Sequence, residues 1–308
     1  MIVKVCMKRA LRRLGIYQRI KCSCWYDLYW WMVDRSVIDD RAREVKFFRH
    51  TLDGLEEGSL IFDIGANRGY KTGIFLRLGA RVVAVDPDPS NHEALRQSFQ
   101  TYRFRNKPVV IVERAVSDHR GVSTLWLEAP GSGKNTLNSK WVETLRSDAT
   151  RFGHSLQFEQ SLLIEMTTIE DLIREHGRPA YIKIDVEGHE VNVLAGMRTP
   201  VPYVSFEANL PEFVPEAVQC IDLLEGLMPE AEFNYTTDCR KGMKLEQWVG
   251  GAAFKDLVRQ CCEPSIEIFC RALAHRADLW VGVAETRSRV APSAERELER
   301  NGVTVQDD

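Results

Sequence analysis

Two short stretches of this chain concentrate residue types that can bind and transfer. The first is Asp63-Ile-Gly-Ala-Asn-Arg-Gly69, a carboxylate followed at once by Gly65, Asn67 and Gly69. Glycines there permit a tight turn and close backbone approach to a ligand, and a following helix would aim its unpaired N–H groups at the same place. The second is Tyr181-Ile-Lys-Ile-Asp-Val-Glu-Gly-His-Glu190, which sets Asp185, Glu187 and His189 within one turn. Acid, acid and imidazole so close together can take a proton from a hydroxyl and hold a positively charged group. These three are the catalytic candidates. Each also has a plainer reading: Asp185 as a helix cap, Glu187 as a first-turn acid favoured by the helix dipole, His189 as a surface histidine. Glu207, which ends Tyr203-Val-Ser-Phe-Glu, is a further candidate for the acceptor side.

The ligand class follows from details of the first loop. A second strand ends in Asp86, roughly 20 residues further on, a spacing that suits a carboxylate accepting from ribose hydroxyls. A dinucleotide fingerprint would need glycines at 65, 67 and 70, but the chain has Asn67 and Tyr70. A pyrophosphate loop also gains nothing from a carboxylate just before it. Asp63 makes sense beside a cation, and S-adenosylmethionine carries both an ammonium and a sulfonium. Asn67 can stand for a glycine because asparagine tolerates left-handed backbone angles. Gly131-Ser-Gly-Lys134 looks like a phosphate loop, but Glu128 and Asn135 occupy the positions that motif assigns to glycine and to Ser or Thr. It reads as an ordinary loop.

With these stretches in place, the sequence resembles the FkbM family of methyltransferases. The resemblance is carried by Phe62-Asp-Ile-Gly-Ala-Asn-Arg-Gly69, Val85-Asp-Pro-Asp-Pro89, Ala115-Val-Ser-Asp118, Thr167-Thr-Ile-Glu-Asp-Leu172 and Ile182-Lys-Ile-Asp-Val-Glu-Gly-His-Glu190. It covers roughly residues 58–210, and the last motif is far more specific than the first. It implies a class I methyltransferase fold, S-adenosylmethionine as donor, and a hydroxyl acceptor on a sugar, polyketide or glycolipid. By position in the family, Asp63, Gly65, Asn67 and Gly69 would form the donor loop and Asp86 would bind the ribose. Ser117 and Asp118, in the Ala115–Asp118 segment, would lie near the adenine. The motif does not say which residue is the base. The reaction implied is in-line displacement at the sulfonium methyl, in which alignment is the main contribution. No metal is expected, although Asp185, Glu187 and His189 could ligate Mg²⁺.

Such a site needs an α/β frame to hold it. Short β-rich runs alternate with amphipathic stretches from residue 59, which signals a mostly parallel sheet with helices on both faces. The strands expected are Ser59–Ile64, Arg81–Val85, Pro108–Glu113, Tyr181–Ile184 and Tyr203–Phe206, with Gly121–Leu127 as an extra strand. Phe233–Thr237 and Leu279–Val283 would close the sheet. Crossover helices are expected at Tyr70–Leu78, at His92–Phe99 capped by Ser90, at Thr168–His176 and at Val191–Met197. Period-two alternation places Ile182 and Ile184 on one face of their strand, with Lys183 and Asp185 on the other. The polar stretch Pro130–Ser139 reads as a mobile loop. Three segments result: a basic, aromatic, helical extension over 1–50, a methyltransferase domain over 51–284, and a polar tail over 285–308.

Composition sets limits around this reading. The chain has 308 residues, 44% hydrophobic and 28% charged, with a net charge of −3, ordinary for a globular protein and unlike a bulk polyanion binder. No nucleic-acid partner is therefore expected. The eight cysteines form no Cys-x-x-Cys pair, so a zinc ribbon is not expected, and packed thiols in a chain without a proper signal peptide point to the cytoplasm. Seven Lys and Arg residues precede the first acid, Asp27, and Trp25, Trp30 and Trp31 follow closely. That basic, aromatic segment could touch an anionic membrane surface. Two rivals remain: a nucleotide-dependent oxidoreductase or epimerase, and a membrane-recruited module that binds the donor without turnover.

Overall fold

The computed structural model of the chain describes residues 35–103, 109–147, 151 and 154–273. Residues 1–34 of the expected helical extension over 1–50, the strand at Leu279–Val283 and the polar tail lie outside the described residues.

In chain order, the first half runs α1 (Ser36–Thr51), β1 (Leu60–Ile64), α2 (Tyr70–Arg77), β2 (Arg81–Val85), α3 (Pro89–Arg103), β3 (Val109–Val112), β4 (Ala115–Val116), β5 (Gly121–Leu127) and α4 (Ser139–Ser147). The second half runs β6 (Gln160–Thr167), α5 (Ile169–His176), β7 (Tyr181–Ile184), α6 (Glu190–Ala195), β8 (Tyr203–Asn209), α7 (Val214–Leu227), β9 (Glu232–Thr236), β10 (Val249–Gly250), α8 (Gly251–Gln260) and β11 (Ser265–Arg271). Eight strands form one sheet in the order β10-β9-β11-β8-β7-β1-β2-β3. Neighbours from β3 to β8 pair in parallel, while β11 is antiparallel to both β8 and β9. This is the class I methyltransferase, Rossmann-like arrangement. A small sheet, β4-β6-β5, stands beside it.

Alternation along the strands explains the two cores. Leu60, Phe62 and Ile64 of β1, Ile182 and Ile184 of β7, and Val204, Phe206 and Ala208 of β8 face α5, α6, α7 and α8. Ile61, Tyr181, Tyr203 and Phe269 face the other way, against Phe47 and Phe48 of α1 and Phe75 of α2. Helix–sheet layers on both faces leave these parallel strands almost continuously apolar. The exceptions are informative. On the second face Asp63 pairs in register with Lys183, and Lys183 with Ser205; Glu207 lies opposite Glu267. A row of polar side chains thus crosses the buried sheet at the carboxyl ends of its central strands. In open α/β sheets ligands bind at those ends.

Local signals set several boundaries. Thr168 caps α5, its side chain accepting from Asp171 N at 3.1 Å, and Gly177 ends the helix at φ +97°. Helix α3 starts earlier than expected, at Pro89, so Ser90 lies inside its first turn; Asp88 Oδ1 accepts from Ser90 N instead. The antiparallel closing strand is Ser265–Arg271, which sequence reading missed along with β6, α4, α7 and α8. No helix among the described residues is long and apolar enough to cross a membrane.

Candidate active site

The loop after β1 is shaped by contact with the end of β7. Gly65 has φ +80°, and a Cβ there would fall 1.8 Å from the Asp185 carbonyl oxygen, so only glycine fits. Asn67 takes φ +48° and its N–H donates to Asp86 Oδ2 at 2.8 Å. Gly69, at φ +79°, packs where a Cβ would meet the Phe99 ring at 2.4 Å. Asp86 Oδ1 accepts from Asp88 N and Asn91 Nδ2, both at 2.9 Å. Burial pushes the Asp86 carboxyl up, against the pull of these donors.

Asp63 is placed differently from expectation. It is fully buried, Oδ2 accepts from Thr72 Oγ1 at 2.5 Å, and Oδ1 has no hydrogen-bond partner among the described residues. Burial raises its pKa, while Lys183 and Thr72 oppose the shift. It lines neither of the cavities described below. Its carboxyl anchors the loop from beneath through α2.

At the end of β7, Lys183 Nζ donates to Asp185 Oδ2 at 2.7 Å. Burial raises the Asp185 pKa, but the Lys183 charge and hydrogen bond outweigh it, and the net shift is downward. Glu187 has φ +54°, a left-handed angle that costs a non-glycine residue and clusters at functional sites. Its carboxylate is buried, accepting from Trp141 Nε1 at 3.1 Å and Lys134 Nζ at 3.4 Å, and its pKa is raised chiefly by burial. Glu190 holds the turn: Oε1 accepts from Val186 N at 3.1 Å and Gly188 N at 3.2 Å. Burial pushes Glu190 to about 8 against those bonds. Glu207 is raised well above the carboxylate range by burial and by Asp185 and Glu187, while Ser265 Oγ donates to it at 2.7 Å.

Ligand atoms of Asp185, Glu187 and Glu207 lie within 4.8 Å of one another and could hold a hard divalent cation. His189 stands apart from this group. Its Nε2 lies 3.1 Å from Ser117 Oγ, which donates to Asp118 Oδ1 at 3.0 Å. His189 lines the first cavity, whereas Ser117 and Asp118 do not; they stand behind the imidazole.

Two cavities open at the strand ends. The first is lined by Gly65, Asn67 and Asp86 on one side and by Val116, Leu125 and Leu137 on another. The second is lined by Tyr70, Lys71, Lys183, Glu207, Arg240 and Glu267. Asp185 lines both. Pro130–Ser139, expected to be mobile, is strapped across the first cavity. Gly131 N and Asn135 Nδ2 donate to Asp88 Oδ2 at 2.6 and 2.7 Å, Thr136 Oγ1 donates to the Glu187 carbonyl at 2.7 Å, and Asn138 Nδ2 donates to the Gly188 carbonyl. Sequence reading missed Trp141, Lys134, Glu190 and this strap. The clustered Asn135, Thr136 and Asn138 were the available signal, being side chains that satisfy backbone groups across a turn.

The structure therefore brings Gly65, Asn67, Asp86, Asp185, Glu187 and His189 around one cavity, which Asp63, Gly69, Ser117 and Asp118 do not line. The profile described as "Methyltransferase FkbM domain" matches residues 63–230. The chain is similar to the hexuronic acid methyltransferase AglP of Haloferax volcanii, 28% identical over 171 residues, which cover 55% of this chain and 62% of that protein. The matched segment is thus less than two thirds of that relative's length. Among solved structures, precorrin-6y C5,15-methyltransferase from Geobacter metallireducens is similar at TM-score 0.37 and 11% identity, over 75% of this chain and 87% of that one. The 16S rRNA N2 G1207 methyltransferase of T. thermophilus, in complex with AdoMet and guanosine, is similar at TM-score 0.36 and 12% identity, over 76% and 43% respectively.

Proposed function

Because the chain belongs to the FkbM methyltransferase family, we propose that it transfers a methyl group from S-adenosylmethionine to a hydroxyl of a sugar-like acceptor. One observation carries this reading: two cavities of different character meet at a single carboxylate, Asp185. The first suits a nucleoside, with Asp86 and Asn67 for ribose hydroxyls and an apolar slot for a base. Gly65 lets the loop lie directly against the Asp185 peptide, where any side chain would clash. The second is rich in hydrogen-bonding groups, and Tyr70 at its mouth is 55% exposed, so a ring face is free to stack on a sugar. A sugar acceptor is also supported by the name of the Haloferax relative.

The donor, when bound, supplies an activated methyl carried on sulfur, so the protein's task is alignment and proton removal. Asp185 can take the acceptor's hydroxyl proton as the new C–O bond forms. Lys183 keeps it ionised beforehand, and 37% exposure of its side chain leaves it reachable. Burial and the neighbouring Asp185 and Glu187 push the Glu207 carboxyl up, which favours its protonated form, and a hydrogen bond from it helps hold Asp185 down. Glu187, fixed by Trp141 and Lys134, closes the far side and keeps the turn rigid.

Incubation with methyl-labelled donor and a pool of glycans, read by mass spectrometry, tests the reaction. A labelled methyl on a sugar oxygen is expected. Absence of S-adenosylhomocysteine binding in a thermal-shift assay, with NAD binding in its place, would refute the reading in favour of a nucleotide-dependent oxidoreductase.

A further inference from the structure

The hydroxyl of Ser117 has a single hydrogen and stands between two groups that could accept it. Asp118 Oδ1 is 3.0 Å away on one side and His189 Nε2 is 3.1 Å away on the other. The hydrogen bond from His119, with Ser117 helping, holds the Asp118 carboxyl below its usual range, so it is an ionised, acceptor-only group. Ser117 must then donate to Asp118, because the reverse arrangement would set its lone pairs against a carboxylate oxygen. Only a lone pair remains for His189, and Nε2 must carry the hydrogen. Burial pushes the imidazole pKa down, so the ring is neutral and Nδ1 is a bare acceptor. Nδ1 has no hydrogen-bond partner among the described residues and is not sealed from solvent.

The placement of this relay is rigid. Ser117 N donates to the Thr167 carbonyl at 2.9 Å. His189 and Gly196 are the two ends of α6, and a Cβ at Gly196 would fall 2.5 Å from the Ser117 carbonyl oxygen. One short helix is thus pressed against Ser117 at its end while its first residue is bonded to the Ser117 side chain. Ser117 directly follows Ala115 and Val116, which with Leu125 and Leu137 form the apolar slot of the first cavity. His189 is one of the polar residues that line that cavity, with Arg114, Ser132 and Asn135.

We propose that His189 Nδ1 reads the exocyclic amino group of the donor's adenine, with Ser117 and Asp118 acting as positioning residues that fix its tautomer. The inference rests on the donor reading of the first cavity. An adenine presents an N–H to a bare acceptor; a hypoxanthine presents an oxygen there, lone pair against lone pair. Sites built to hydrogen-bond a group reject analogues that lack it far better than apolar pockets do. The relay assigns His189 to recognition and leaves proton removal to Asp185.

Isothermal titration of the full chain with S-adenosylhomocysteine and with S-inosylhomocysteine tests this. The wild type should prefer the adenine form by about tenfold or more, the scale of one good hydrogen bond. In His189→Ala the preference should fall to within about twofold, and Ser117→Ala should reduce it part-way by freeing the tautomer. His189→Asn, which restores an acceptor, should recover part of the preference. If His189→Ala keeps the wild-type ratio, or weakens both ligands equally, His189 does not read the amino group. Should His189→Ala not fold, an unchanged ratio in His189→Leu, which also removes the acceptor, overturns the proposal. A wild type that binds neither compound overturns the donor reading itself, a distinguishable failure.

Discussion

Adding one methyl group at Gly65 should uncouple the donor loop from the residue proposed to take the proton. The new Cβ would lie 1.8 Å from the Asp185 carbonyl oxygen and 2.8 Å from its carbon. Ordinary contact requires a retreat of about 1.5 Å. That peptide cannot retreat freely, because Asp185 N donates to the Ile64 carbonyl at 3.0 Å and so ties the end of β7 to β1. The left-handed angle of +80° adds about 1–2 kcal/mol for alanine, and overpacking adds about 1–3 kcal/mol. Gly65→Ala should therefore lose about 2–5 kcal/mol of stability in urea denaturation. A displacement near 1 Å at Asp185 should also lower kcat about 100-fold at saturating donor. Donor affinity alone is not the discriminating readout, since any loop change would alter it. A variant that folds, binds S-adenosylhomocysteine weakly, yet turns over at the wild-type rate when saturated would refute the coupling between Gly65 and Asp185.

Other consequences can be measured separately. Asp185→Asn should keep S-adenosylhomocysteine binding within a few-fold and lose about 100-fold or more in kcat; full turnover would remove Asp185 as the proton acceptor. Glu190→Gln keeps an oxygen for Val186 N and Gly188 N but removes the titration. With a folded pKa raised to about 8 from 4.5, wild-type Glu190 contributes stability that is complete below about 4.5 and lost as pH rises through about 8. Urea midpoints should thus fall for the wild type relative to Glu190→Gln between pH 5 and 8.5, and parallel curves would refute the assignment. EDTA should leave turnover unchanged, because Lys183 already neutralises Asp185 among the three carboxylates. Loss of activity restored by Mg²⁺ would show the cluster to be a metal site.

Much of the frame was legible because its signals are local. Strands Arg81–Val85 and Tyr181–Ile184 occur as their apolar runs indicated, and alternation correctly set Lys183 opposite Ile182 and Ile184. Gly65 and Asn67 do take left-handed angles. What failed depends on distant neighbours. Ser265–Arg271 alternates well enough, but no local period says that it inserts antiparallel between β8 and β9. Pro130–Ser139 has the composition of a free loop, yet Asn135, Thr136 and Asn138 are bonded to Asp88, Glu187 and Gly188, about 50 residues away in sequence. Asp63 ends a strand beside glycines, as read, but its burial and its bond from Thr72 become visible only in the fold.

The polar row across the sheet links stability to the chemistry. Asp63, Lys183, Ser205, Glu207 and Glu267 interrupt strands that are otherwise apolar on both faces, and every such interruption costs desolvation. Most of the row is hydrogen-bonded: Tyr181 OH donates to Ser205 Oγ at 2.6 Å, Ser205 Oγ to Glu267 Oε1 at 2.9 Å, Lys183 to Asp185, Ser265 to Glu207 and Thr72 to Asp63. Lys183 is the cation at the centre, and its own pKa is lowered by burial yet raised overall by Asp185, Asp63 and Glu267. Replacing it with an apolar residue would leave those carboxylates facing one another without compensation, and breaking a buried pair in this way typically costs about 3–5 kcal/mol. The same change would raise the Asp185 pKa and make it a stronger base but a less ionised one. The lysine in Ile182-Lys-Ile184 thus compensates the buried carboxylates of the row and holds Asp185, the proton acceptor we propose, in its ionised form. That double role explains why a charged residue occupies the middle of an otherwise apolar central strand.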